Sequence, residues 1–135
     1  MVEPIDLTST FMVFDPDLIC TEAPVTPTLY ADLDLNFHGF RSCLLVSEYS
    51  FNEDWPTWEV HPKGDELLYL LSGECSIHLL IDGIEQIIPF VRPGSTIKVP
   101  KGTWHTAKMK GACRMLFITP GEGTENRPSP SGQNA

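Results

Sequence analysis

Long apolar runs are missing from this sequence. No stretch approaches the roughly 18 consecutive apolar residues that a membrane helix needs. The N-terminus, Met1-Val2-Glu3-Pro4-Ile5-Asp6, lacks the basic start and apolar stretch of a secretory leader, which points to the cytoplasm. Positive charge is scarce: nine Lys and Arg stand against 18 Asp and Glu, a net charge of −9. The densest basic stretch holds four Lys over the 13 residues 98–110. Nucleic-acid backbones and anionic membrane surfaces are therefore excluded as partners. Close cysteine pairs are missing too. Cys20, Cys43, Cys75 and Cys113 are far apart and form no C-x-x-C, which rules out a zinc ribbon or a thioredoxin-like redox pair. They read as free thiols, buried or half-buried, in a reducing compartment. No segment carries a long 3.6-residue period, so an extended helix is not expected.

What is present is an ordinary globular mixture. The 135 residues are 41% hydrophobic and 20% charged, with 10 Gly and 12 Pro, which fits one domain with many turns. Residues 1–38 are acidic and Pro-rich. Pro24 and Pro27 forbid a helix interior around them. This arm reads as extended chain packed on the domain or on a partner, with one helical turn at Asp15-Pro16-Asp17 capped by Asp15. From residue 39 the period is two. Strands are expected over residues 40–49, 67–71, 75–81, 84–91, 96–99, 104–109 and 113–119. Asp82-Gly83 between two apolar runs predicts a tight hairpin, and Arg92-Pro93-Gly94 and Lys110-Gly111 predict turns. The fold class is thus all-β, a sandwich or barrel over residues 39–119. Residues 120–135 contain no aliphatic side chain larger than Ala and are expected to be a flexible tail.

Two clusters hold the side chains with metal and proton chemistry. The first is Trp58-Glu59-Val60-His61-Pro62-Lys63-Gly64-Asp65-Glu66, and the second is His105 within Pro100-Lys101-Gly102-Thr103-Trp104-His105. Glu59 and His61 are two apart, so on a strand they point to one side. Glu66 opens the next strand on the face of Leu68 and Leu70, where a carboxylate is costly unless it meets a cation or donors. If the two hairpins face each other, His61, Glu66 and His105 converge. Two imidazoles and a carboxylate suit Fe(II), and equally Mn, Zn, Co or Ni. Glu59 is then a fourth ligand, or a free carboxylate beside the metal that moves protons.

These residues resemble the two motifs of the cupin superfamily. Its first motif is G-x5-H-x-H-x(3,4)-E-x6-G, and here His61, Glu66 and Gly73 fall at the right spacing. Its second is G-x5-P-x-G-x2-H-x3-N, matched by Gly94, Pro100, Gly102 and His105. The resemblance covers roughly residues 40–119. The departures are Glu53 at the first Gly, Glu59 at the first His and Met109 at the final Asn. The segment around His61 is similar to that of a branch of small bacterial cupins. The resemblance implies a double-stranded β-helix, or jelly-roll barrel, binding one divalent transition metal per chain through His61, Glu66 and His105. It also implies a homodimer, with the N-terminal arm as the natural contact. The function expected is a metal-dependent enzyme, a dioxygenase or else an isomerase, lyase or hydrolase, acting on a small organic substrate inside the barrel. The alternative is a non-catalytic cupin module that binds a small molecule or metal.

The remaining candidates have plainer readings. Asp65 reads as a turn residue orienting its loop, and His78 as a structural or surface histidine. Trp55, Trp58 and Trp104 read as core, with Trp104 pointing away from His105. Ala107 and Met109 share the face of His105 and are expected to line an apolar pocket beside it. Arg41 and Arg114 read mainly as surface charges.

Overall fold

The computed structural model describes residues 2–129. Eleven strands and one short helix follow in chain order: β1 (Thr10–Phe14), β2 (Cys20–Pro24), α1 (Leu29–Asn36), β3 (Leu44–Phe51), β4 (Trp58–Val60), β5 (Glu66–Ser72), β6 (Cys75–Ile81), β7 (Ile84–Phe90), β8 (Thr96–Val99), β9 (Trp104–Met109), β10 (Cys113–Thr119) and β11 (Glu125–Arg127). They form two antiparallel sheets. One runs β2-β1-β3-β10-β5-β8 and the other β11-β4-β9-β6-β7. The expected all-β barrel of jelly-roll type is what the chain adopts.

Alternation explains the layering. Along β5, Glu66, Leu68 and Leu70 are buried while Leu67 and Tyr69 are half-buried, so one face looks inward. Leu68, Leu70, Met115 and Phe117 of the first sheet pack against Cys75, Ile77, Leu79, Phe90 and Ala107 of the second. Asp82 and Gly83 both have positive φ, 52° and 76°, as the hairpin between β6 and β7 requires. Gly73 is demanded more strictly: its φ is +81°, and a Cβ there would lie 2.2 Å from the Ala112 carbonyl oxygen.

The N-terminal arm differs from the sequence expectation in its secondary structure. It packs on its own barrel, with β1 pairing to β3 through Met12↔Val46, Val13↔Leu45 and Phe14↔Leu44. Its core, Phe11 and Val13 with Leu29, Leu33, Phe40 and Leu45, forms a second buried cluster. Asp15-Pro16-Asp17 is not a helical turn but the bend between β1 and β2. Asp15 still caps it, its Oδ1 accepting the amides of Asp17 (2.9 Å) and Ile19 (3.0 Å). The helix lies later, at α1, after Pro27. Its apolar residues are only Leu29 and Leu33 inward, too few to mark a period.

The flexible tail expected over residues 120–135 also divides. Residues 120–129 are ordered onto the barrel, with β11 pairing β4 through Asn126↔Glu59. Backbone ladder bonds and the Arg127 guanidinium, 4.9 Å over the Trp104 ring, replace the apolar anchor the sequence lacks. Residues 130–135 lie outside the described residues.

Candidate metal centre

Strand register brings the two sequence clusters together. Glu59 on β4 lies directly opposite His105 on β9. His61 follows β4 immediately, and its carbonyl accepts the Gly102 amide at 3.0 Å, which ties the turn after β4 to the turn before β9. Asp65 Oδ1 accepts the Lys101 amide at 2.7 Å and ties the same two loops, so Asp65 does orient its loop. Glu66 comes from the facing sheet, at the start of β5.

One ligand-type atom from each of Glu59, His61, Glu66 and His105 lies within 4.8 Å of the others. His61 Nε2 is 2.9 Å from Glu59 Oε1 and 3.3 Å from Glu66 Oε1. His105 Nε2 is 3.0 Å from Glu66 Oε1 and 3.9 Å from Glu59 Oε1. None of the approaches made by the buried atoms has hydrogen-bond geometry. His61 Nε2, His105 Nε2 and Glu66 Oε1 are buried without a hydrogen-bond partner.

The outer atoms of the same side chains are all engaged. The Thr124 hydroxyl donates to the Gly121 carbonyl (2.9 Å), so it accepts from His61 Nδ1–H at 2.8 Å. His105 Nδ1–H donates to the Thr103 carbonyl at 3.0 Å. Both imidazoles are thereby held with Nε2 turned to the cluster, the arrangement that leaves a lone pair for a metal. Thr119 donates to Glu66 Oε2 at 2.6 Å. Burial works to raise the Glu66 carboxyl, yet the two imidazoles outweigh it and hold it well below the ordinary carboxylate range. Burial likewise opposes charge on His61, but the Glu59 and Glu66 carboxylates prevail and lift it to about 9 in the absence of a metal.

A cavity of about 740 Å³ opens onto the cluster. Glu59, His61 and Glu66 lie in its wall, with Tyr49, Phe51, Trp55 and Phe117 from the sandwich and Tyr30 and Asp34 from α1. Three expectations change here. Trp55 is not simply core: it lines the cavity, and its buried Nε1 has no partner. Ala107 and Met109 do not line the pocket. Both are consumed in the core between the sheets, where Met109 Sδ meets Cys113 Sγ at 3.6 Å. The arm, through α1, contributes wall that no motif announced. Thr103, Thr119 and Thr124 also escaped the sequence reading, because a threonine that steadies a ligand has no spacing signature of its own.

Most of the plainer readings agree with the structure. His78 is bonded to Ser76 (2.8 Å) and to Glu85 (2.7 Å), away from the cluster. Trp104 points away from His105 as expected, but the core reading fails for it and for Trp58: both are half-buried outside the core clusters, Trp104 under Arg127. Arg114 is exposed and paired with Glu48, and neither it nor Arg41 lines the cavity. Cys43, Cys75 and Cys113 are buried free thiols as expected, but Cys20, on the edge strand β2, is exposed against that expectation. No helix among the described residues is long and apolar enough to cross a membrane.

No protein-family profile and no curated protein sequence matches the chain. Solved structures do. An oxalate oxidase structure is 19% identical, with a TM-score of 0.51 over 60% of this chain and 44% of that one. Recombinant oxalate oxidase in complex with glycolate is 19% identical, with a TM-score of 0.52 over 61% of this chain and 45% of that one. A cupin superfamily protein from Desulfitobacterium hafniense is 32% identical over 56% of this chain and 65% of that one, with a TM-score of 0.48. The chain therefore spans less than half the length of the oxalate oxidases it matches. At 19% identity such a likeness speaks to architecture. Two antiparallel sheets close over a Glu/His/Glu/His cluster supplied by both motif regions, and the chain has the cupin-type fold with that cluster as a candidate metal centre in its barrel.

Proposed function

We propose that the chain is a metal-dependent enzyme acting on a small organic molecule held in the cavity. One observation carries this reading. His61 Nε2, His105 Nε2 and Glu66 Oε1 are buried and unpartnered, while the outer atoms of the same three side chains are all engaged. Buried polar atoms are almost always satisfied, so three orphans turned to one point call for an occupant that takes lone pairs. Two imidazoles with carboxylate fit a divalent Fe, Mn, Zn, Ni or Co ion, one per chain. His61, Glu66 and His105 would hold it. Glu59 is the fourth ligand or the acid/base beside it. When bound, the ion supplies Lewis-acid polarisation of an oxygen-bearing substrate, and iron adds oxygen chemistry.

The chain's own residues do the rest. Glu59 is the most exposed of the four, at 30%, and borders the cavity, so its Oε1 can take a proton from a bound molecule and return it. The aromatic wall sheds water and positions the body of the substrate. We place dioxygenase chemistry first and isomerase, lyase or hydrolase chemistry second. Two carboxylates on one dication leave no net positive charge, which favours a Glu59 that is free for part of the cycle. The working unit is taken as a cytoplasmic homodimer. In support, Leu18 and Ile19 at the tip of the arm are 76% and 60% exposed, apolar surface that a second chain would cover.

The test is elemental mass spectrometry on protein purified without a metal-affinity tag, beside His61→Ala/His105→Ala. About one transition metal per chain, lost in the double variant, is expected. No metal after reconstitution would overturn the reading. Oxygen uptake and substrate loss are then followed over diketones, phenols, acids and sugars. Glu59→Gln is expected to keep metal and lose turnover. Loss of metal as well would make Glu59 a ligand, and binding without turnover across the panel would leave a capture module.

A further inference from the structure

The cavity is charged one way. Glu59 and Glu66 belong to the ligand cluster. Asp34 on α1, and Glu53 and Asp54 in the loop before β4, are exposed along the same wall. Among the described residues no Lys or Arg lines it. Asp54 is engaged, its Oδ1 accepting the Met109 amide at 2.7 Å. Asp34 and Glu53 have no ion pair among the described residues. Five carboxylates against a single dication leave the cavity three charges negative, and the chain's net −9 adds to the same field. At the base, Glu66 Oε1 and His61 Nε2, in side chains only 2% and 4% exposed, stay unpartnered, so this is a built cavity and not merely an acidic surface.

Aromatic rings line the same cavity as both groups of carboxylates. Tyr49 stacks on Phe51 at 5.9 Å, and Phe51 meets Trp55 at 5.4 Å, which makes a continuous wall. Ring faces carry negative quadrupole potential and attract cations. A carboxylate or phosphate substrate would meet repulsion here with no guanidinium or ammonium to pair it. A protonated amine would meet the rings and two unpaired carboxylates. Glycolate, bound by one of the oxalate oxidases, is of the disfavoured class.

We propose that this cavity selects organic ammonium compounds. The molecule would carry an oxygen donor that reaches the ligand cluster and a cationic nitrogen lying between the aromatic wall and the Asp34 and Glu53 carboxylates. Only the oxygen end rests on the metal-enzyme reading.

Isothermal titration of the zinc-loaded protein with three catechols of matched shape tests this. Dopamine ends in an ammonium, 4-ethylcatechol is neutral, and 3,4-dihydroxyphenylacetate is an anion. Dopamine is expected to bind about tenfold tighter than ethylcatechol, and the anion to bind weakest, as one added favourable or unfavourable charge contact implies. Asp34→Asn/Glu53→Gln, at exposed positions outside the ligand cluster, is expected to shrink the gap between dopamine and ethylcatechol. Equal affinities, a tighter anion, no binding by any of the three, or a gap untouched by the double variant would overturn the proposal. Zinc content is measured on the same sample. Failure to load zinc would count against the metal reading alone, because the ranking by tail charge is then read on the metal-free protein.

Discussion

Single atoms decide whether the cluster can hold an ion. The Thr124 hydroxyl fixes the His61 tautomer and comes from a stretch with no large aliphatic residue. Thr124→Val keeps the shape and removes the acceptor. Metal affinity is expected to fall about 10- to 100-fold with the fold intact, which competition with a chelator would measure. An unchanged affinity would remove Thr124 from the site's support. Protonation gives a second prediction. In the metal-free protein the His61 imidazolium is held to about 9, above its ordinary 6.5. That stabilisation is complete below pH 6.5 and is lost as pH rises through 9. The urea midpoint of the metal-free protein is expected to fall across this window. Metal capture needs an unprotonated Nε2, so affinity should rise across the same window. At this scale the sequence was legible where spacing encodes a role: Glu59, His61, Glu66 and His105 converge as their motif positions imply. Thr119 and Thr124 were hidden because their partners are far away in sequence, Thr103 because it serves through a backbone carbonyl that any residue supplies, and Trp55 because it lies in a loop with no period.

Elements were legible where polarity alternates. β3 and the strands from β5 to β10 lie within a few residues of their expected bounds, whereas the three-residue β4 has no counterpart among the expected strands, and the Asp82-Gly83 hairpin has the positive φ values its dipeptide demands. Legibility failed at both ends of the barrel for one reason. β1 and β11 are held by backbone ladders to strands far away in sequence, with β2 tied to β1 alone, and such pairing leaves no mark in local composition. The arm's docking also bears on assembly. Because β1 is already spent on β3 of its own chain, a dimer through the arm has to use its outer surface. Leu18→Glu/Ile19→Glu leaves the arm's buried Phe11 and Val13 in place and charges only its tip. Sedimentation is expected to show a monomer for this variant and a dimer for the native chain. A dimer in both would end the arm's part in pairing.

The whole molecule is gripped at one end. Glu59, His61 and His105 belong to one layer and Glu66 to the other, so an occupant that binds all four rivets the layers where β4, β5 and β9 begin or end together. The far ends of the same strands are joined covalently, because the turns at Gly73 and at Lys110-Gly111 carry the chain from one layer to the other. The sandwich is thus clasped twice, by those two turns at one end and by the ligand cluster at the other. Cys75 and Cys113 lie just inside the covalent clasp, and burial raises both thiols, Cys75 to about 12. An aromatic disulfide reagent should therefore label Cys20 at once and Cys113 only as the packing there opens. If metal closes its own clasp alone, slow labelling of Cys113 keeps its rate on loading while exchange of the amides at β4 slows. A sandwich that stiffens throughout would slow both, and Cys113 would then report on the ion from the opposite end of the barrel.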